Sequence, residues 1–289
     1  FMKMLTPKSL SQNSRIALVA PARKVLYEDV SYAINYIKEK GFVPVYDDRL
    51  FLSENQFAGS DEDRAMVLQS YLDNPDIDAI ICVRGGYGTV RIVDRLDFSK
   101  FVQNPKWIVG YSDVTVLHAK LQSLGIESLH ATMPINFQAN TQQSLDTLFD
   151  ALMGKDIVYD YPRSALDIKG KAEGVIVGGN ISVLYSLLGS EIFPDTKDRI
   201  LFLEDLDEYL YHIDRMMTSF ERAGVFDNIK GLVVGGLTNM HDNSVPFGKS
   251  AEEIILEKVY KRNIPVMFDF PAGHIDDNRA VILGREFRM

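Results

Sequence analysis

Three short segments end apolar runs in residue types that can do chemistry together. They are "WIVGYSD" with Ser112, "LFLED" with Glu204 and "FPAGH" with His274. A serine hydroxyl is a poor nucleophile at neutral pH. It needs an imidazole to accept its proton and a carboxylate to orient that imidazole. Ser112 follows Gly110 and Tyr111 and precedes a helical pattern in which Val114, Leu117, Leu121 and Leu124 share a face. A serine on such a strand-to-helix corner has its hydroxyl lifted clear of the backbone. The amide of Asp113 then points to where an oxyanion would form, and the helix N-terminus adds positive potential. Taken alone, Ser112 reads as a helix N-cap; the neighbouring glycine loop and the other two strand ends favour the catalytic reading. The G-x-S-x-G pattern is not met, because Val114 stands where its last glycine would be.

The glycine loop is "RGGYG" (84–88), also at a strand end. Glycines there permit positive φ and close approach of a ligand. The Gly86 amide is a candidate partner for that of Asp113 in an oxyanion hole, and Arg84 a candidate clamp for a substrate carboxylate. A tight turn with a surface ion pair is the plainer alternative. The loop does not continue as G-x-G-x-x-G, since Thr89, Val90 and Arg91 follow Gly88.

Glu204 directly follows its apolar run, which makes it the best placed acid in "LEDLDE". Asp205, Asp207 and Glu208 read as caps or solvated groups of the next helix, with a magnesium site as rival. Among five histidines, His118 lies on the helix after Ser112, His130 in a loop or strand edge, His212 mid-helix and His241 in a polar loop. Only His274 ends a strand, on a turn shaped by Pro271 and Gly273. The acids after it, in "HIDDN", read as a turn rather than a metal cluster. "PFGKS" is not a P-loop, because Asn243 occupies the place of the first glycine. Spacing alone does not settle the choice among the acids and histidines.

These residues need a scaffold. "RIALVAPA" (15–22), "FVPVYDD" (42–48), "IDAIICVRGGYG" (77–88) and "WIVGYSD" read as strands. "DVSYAINYIKEKG" (29–41) and "DEDRAMVLQSYLDNP" (61–75) read as helices between them. Gly41 suits a helix end and the acids at 61–63 a helix start. Alternating strands and helices predict a parallel sheet with ligands beyond the carboxyl ends of its strands, so loops 20–23, 84–88 and 110–113 should share one edge. Residues 151–172 are polar and turn-rich and read as a linker with one strand at most. Beyond them, "AEGVIVGGNISVLYSLLGS" reads as a strand, a turn and a helix, "RILFLEDLDE", "IKGLVVGGLTN", "NIPVMFDFPAGH" and "AVILGREF" supply further strands, and "YLYHIDRMMTSFERAG" a helix. We expect an N-terminal domain over 1–150 and a C-terminal domain over 173–289.

Composition bounds the partners. The chain has 289 residues, 46% hydrophobic and 25% charged, with net charge −9. That balance disfavours nucleic acid and a polybasic membrane contact. One cysteine, Cys82, allows neither an internal disulfide nor a multi-thiolate metal site, and reads as a small buried residue. No run reaches the ~18 apolar residues of a membrane span. The start lacks a signal peptide's apolar segment, so a cytoplasmic location is expected. Phe1 ahead of Met2 reads as a cloning remnant.

Taken together, "APA" near the start, "VRGGYG", "GYSD", "GGNISVL", "LFLED" and "PAGH" resemble the LD-carboxypeptidase family of serine peptidases, also called murein tetrapeptide carboxypeptidases. The order and spacing of the six blocks carry the resemblance through most of the chain. It implies a flavodoxin-like α/β N-terminal domain and a swivelling β/α C-terminal domain. It implies a triad of Ser112, His274 and Glu204, an oxyanion hole from Gly86 and Asp113, no metal or other cofactor, and a homodimer. The implied substrate is a murein tetrapeptide recovered during wall recycling, cut between the L-centre of a diamino acid and the terminal D-alanine. Microcin-immunity peptidases share the fold and tend to have a longer segment between domains; the short linker here favours the murein reading. Two other classes stay open. A glutamine-amidotransferase-like enzyme would need a cysteine nucleophile, for which Cys82 is badly placed. A non-enzymatic sugar- or peptide-binding module would need no nucleophile.

Overall fold

Strand follows helix along the chain because short apolar runs alternate with amphipathic ones. The computed structural model describes residues 3–289; Phe1, read above as a remnant, and Met2 lie outside the described residues. The first half runs β1 (Arg15–Val19), α1 (Tyr27–Glu39), β2 (Val43–Val45), α2 (Asp61–Asp73), β3 (Ala79–Cys82), β4 (Trp107–Gly110), α3 (Thr115–Ser123), β5 (Ser128–His130) and α4 (Gln142–Leu152). The second runs β6 (Glu173–Asn180), α5 (Ile181–Ser186), β7 (Ile200–Leu206), α6 (Leu210–Arg222), β8 (Gly231–Thr238), α7 (Ala251–Val259), β9 (Val266–Met267), β10 (Val281–Leu283) and β11 (Glu286–Arg288).

Strands β3, β4 and β5 are buried along their whole length, as strands covered on both faces must be. The first sheet has the order β10-β5-β4-β3-β1-β2. Its parallel part is the 2-1-3-4-5 order of flavodoxin-like sheets. Helix α2 starts on a capping box: Ser60 Oγ accepts from the Asp63 amide and Asp63 returns the bond to the Ser60 amide. The second sheet has the order β11-β6-β7-β8-β9 and is parallel except for β11. Its core includes Leu201 and Leu203 of β7, Met216, Met217 and Phe220 of α6, and Ile254 and Ile255 of α7. The two-sheet α/β architecture expected from the sequence is present.

Residues 151–172 hold no strand, within the reading of one at most; an isolated bridge, Ile168 to Val266, pairs them with the second sheet. Two expectations need correction. "AVILGREF" is not one strand. Gly284, at φ +94°, turns the chain between β10 and β11. Apolar β10 pairs antiparallel with β5 in the first sheet, while β11 pairs with β6 in the second. The loop from β9 to β10 therefore crosses from one sheet to the other, and His274 lies on it rather than at a strand end as expected: β9 stops at Met267, and Asp269 at φ +53°, Pro271 and Gly273 at φ +108° turn the chain out of the ladder. No helix among the described residues is long and apolar enough to cross a membrane.

Candidate active site

Strand β4 delivers the serine. Ser112 is not a helix cap: it makes no capping bond and has φ +64°. A non-glycine residue held in the left-handed region is strained, and such strain clusters at functional sites. The loop after β3 lies against it. A Cβ on Gly85 would sit 3.2 Å from Ser112 Cβ and 3.3 Å from its Oγ, tight enough that the serine would have to shift by a few tenths of an ångström. The loop is pinned at both ends. The Thr89 amide donates to Asp113 Oδ2 at 2.9 Å, and the buried Arg64 guanidinium donates to the carbonyls of Gly88 at 3.0 Å and Pro21 at 2.7 Å. The Arg23 amide donates to the Gly85 carbonyl at 3.2 Å, so loops 20–23, 84–88 and 110–113 share one edge.

The second sheet and the crossover loop deliver the other two groups. His274 Nε2 is 3.1 Å from Ser112 Oγ, and His274 Nδ1 is 2.7 Å from Glu204 Oε2. Glu204 is fully buried, two residues before the end of β7. The turn before His274 folds over it. A Cβ on Gly273, at φ +108°, would come within 2.8 Å of Glu204 Oε2, so any side chain there would displace the carboxylate. The loop is held by Asn278 Oδ1, which accepts from the Gly273 amide at 2.8 Å. The Thr238 hydroxyl adds a bond to the His274 carbonyl at 2.7 Å. The Tyr111 ring packs 4.8 Å from the His274 ring.

Charge is consistent with this order. Burial opposes ionisation of Glu204, but the His274 imidazole outweighs it with help from His130, and the carboxyl lies below its usual range. Burial likewise disfavours the His274 imidazolium, and the Glu204 carboxylate reverses that, leaving its pKa raised. The chain Ser112–His274–Glu204 can pass a proton from oxygen to nitrogen and hold the resulting imidazolium. Cys82 is fully buried in β3, and burial pushes its thiol far up.

The other named residues fall as follows. Asp205 does not cap the following helix. It is buried, accepts from Asn180 Nδ2, from the Leu206 amide and from the Ser182 amide, and so braces the start of α5. Burial and the charge of Glu204 push its pKa up to about 7. Asp207 pairs with His241, and Glu208 pairs with His212 at 2.7 Å. His118 is satisfied by Ser128 and the Gly110 carbonyl, each at 2.7 Å. Arg84 Nη1 donates to the Lys24 carbonyl at 3.2 Å and pairs with no carboxylate among the described residues. Gly86 and Asp113 flank the hydroxyl's loop and turn, and among the described residues their amides donate to no other group. Sequence reasoning missed Asn180. Its Nδ2 reaches Glu204 Oε1 at 3.3 Å, and its amide donates to the Thr115 hydroxyl at 3.1 Å, tying the second sheet to α3. Its place at the end of "GGN", opposite Glu204 on the neighbouring strand, was the available signal.

A two-sheet α/β scaffold with a hydroxyl, an imidazole and a carboxylate joined across the sheets is the arrangement of a serine-type hydrolase. The comparisons give the family. The LD-carboxypeptidase N-terminal domain matches residues 16–131 and the LD-carboxypeptidase C-terminal domain residues 173–289. The chain belongs to the LD-carboxypeptidase family. It is 30% identical to a probable murein peptide carboxypeptidase of Bacillus subtilis, over 98% of this chain and 91% of that one. The muramoyltetrapeptide carboxypeptidase of Oxalobacter formigenes superposes with TM-score 0.81 at 28% identity, covering 95% of this chain and 94% of that one. The microcin C7 self immunity protein MccF superposes with TM-score 0.88 at 21% identity, covering 98% and 95%; that likeness concerns the fold.

Proposed function

We propose that this protein is a serine carboxypeptidase that releases the terminal D-alanine from L,D-linked murein tetrapeptides during peptidoglycan recycling. The observation that carries the reading is the position of His274, with Nε2 3.1 Å from Ser112 Oγ and Nδ1 2.7 Å from a fully buried Glu204. As Ser112 Oγ attacks the carbonyl before the D-residue, its proton passes to His274 Nε2. His274 Nδ1–H stays hydrogen-bonded to Glu204, which balances the imidazolium. The tetrahedral oxyanion lies between the amides of Gly86 and Asp113. His274 then gives its proton to the leaving amine, releasing D-alanine. Water, deprotonated by His274, attacks the acyl ester and frees Ser112.

Arg84, with Arg23 beside Gly86, would receive the terminal carboxylate of the substrate, the contact that makes a carboxypeptidase rather than an endopeptidase. Both side chains lack an acidic partner within salt-bridge distance among the described residues. The murein reading ranks above the microcin-immunity one because the relatives named for murein peptides are the more similar in sequence, at 30% and 28% against 21%. A cytoplasmic location, a homodimer, and domains spanning 1–150 and 173–289 around the linker at 151–172 belong to the same proposal. The test is a panel of L,D- and D,D-linked tetrapeptides with products weighed by mass spectrometry. Loss of one alanine from the L,D-linked members alone is expected; cleavage of only the D,D-linked members, or of none, would reject the assignment. Labelling of Ser112 by a fluorophosphonate would exclude a non-enzymatic binding module.

A further inference from the structure

His130 is fully buried on β5, and neither ring nitrogen has a hydrogen-bond partner among the described residues. An unpartnered buried polar atom destabilises the fold, and a phenylalanine would fill the same apolar space without that cost. Such a group calls for a physical reason. Its surroundings supply one. The ring packs edge-on against Phe202 at 4.9 Å, near Tyr111 at 5.8 Å and His118 at 6.2 Å, and its Nε2 lies 3.9 Å from Glu204 Oε1. That is too long for a hydrogen bond and short enough for attraction between an N–H and a buried carboxylate. Glu204 Oε2 is committed to His274, whereas Oε1 has only the Asn180 amide at 3.3 Å. His118 cannot substitute. Both its nitrogens are engaged, and burial, with His130 nearby, holds its pKa down to about 3.

Resting on the serine-hydrolase reading above, we propose that His130 is a positioning residue for Glu204. Its Nε2–H faces Oε1 and holds the carboxylate in the orientation that presents Oε2 to His274. The geometry also links the two halves of the molecule. His130 belongs to the first sheet, paired with Gly110 two residues before the serine, while Glu204 belongs to the second. The same imidazole thereby ties the strand that aims the nucleophile to the acid that orients the base.

Side-chain shape provides the test. The amide nitrogen of glutamine falls near the place of a histidine Nε2, and that of asparagine near Nδ1. His130→Phe and His130→Asn should lower kcat roughly 10- to 100-fold with KM within about twofold, as expected when a reacting group is misplaced. His130→Gln should recover most of the loss. Wild-type kcat in His130→Asn, or equal losses in the Asn and Gln variants, would overturn the role. Should the variants not fold, ¹⁵N-histidine NMR of the unaltered protein decides. A proton on His130 Nε2 supports the role, and a bare Nε2 facing the carboxylate refutes it. Ser112→Ala run alongside separates the two readings. An active Ser112→Ala rejects the hydrolase mechanism itself, whereas an inactive one beside a fully active His130→Asn rejects only the part played by His130.

Discussion

The two sheets meet at the same cleft but contribute to it in different ways. On the first, backbone shape dominates: a serine at φ +64°, a glycine whose Cβ, if it had one, would lie 3.3 Å from that hydroxyl, and a loop held at both ends. On the second, side-chain charge dominates: Glu204, Asp205 and Asn180 form a buried polar cluster, and His274 is laid over it. The lesson is that the two halves should fail differently. Added bulk should disable the first, and loss of a partner the second.

The largest effect is expected from Ser112→Ala, which removes the proposed nucleophile and nothing that packs. Turnover of an L,D-linked tetrapeptide should fall by roughly 10⁴- to 10⁶-fold, with Tm unchanged. A comparable drop in Tm would mean that the hydroxyl serves the fold instead. On the second sheet, Glu204→Gln should cost about 10⁴-fold in kcat and also lower Tm, since a buried charged partner of His274 is lost. Gly86→Ala probes the backbone half. Its φ is +102°, and a Cβ would come within 2.9 Å of the Arg23 Cβ. If its amide serves the oxyanion, kcat should fall on the order of 10²- to 10³-fold; a purely thermal defect would remove Gly86 from the hole.

The pH profile sharpens the contrast. The carboxylate of Glu204 raises the His274 pKa above 6.5. The free base therefore appears only as pH rises through that higher value, and kcat/KM should climb on a limb centred above 6.5. In Glu204→Gln the limb should move down. A limb that stays in place would show that the carboxylate does not set the base. The smallest effect on turnover is expected from Asp205→Asn. Both carboxylate oxygens accept N–H groups, so the new amide nitrogen would face a donor. Stability should fall by about 1–3 kcal/mol, read from denaturant unfolding, with kcat nearly retained.

Much of this was legible in residue order. The run Trp107–Gly110 followed by a helical face predicts a strand, a corner and a helix, and those elements form. Loops 20–23, 84–88 and 110–113 share an edge because parallel strands put their carboxyl ends together. Helices α4 and α7 were not read from the sequence, although Ser250 and Glu253 form a capping box at the start of α7. His130 looked like one more structural histidine, because nothing local distinguishes a strand-end imidazole with no partner from one with two. Asp205 looked like a cap for the next helix, whereas its bonds run to Asn180 and Ser182, more than 20 residues earlier in the chain.

What the sequence by itself determined is the set of strand–turn–helix units and the chemical types at their ends, because hydrophobic period and turn chemistry act over a few residues. What only the tertiary structure decided is which ends meet. Ser112 and His274, 162 residues apart, come within 3.1 Å because β10 leaves the second half of the chain and pairs with β5 of the first sheet. A short apolar strand carries no local mark of the sheet it will join; that choice follows from how the whole molecule packs.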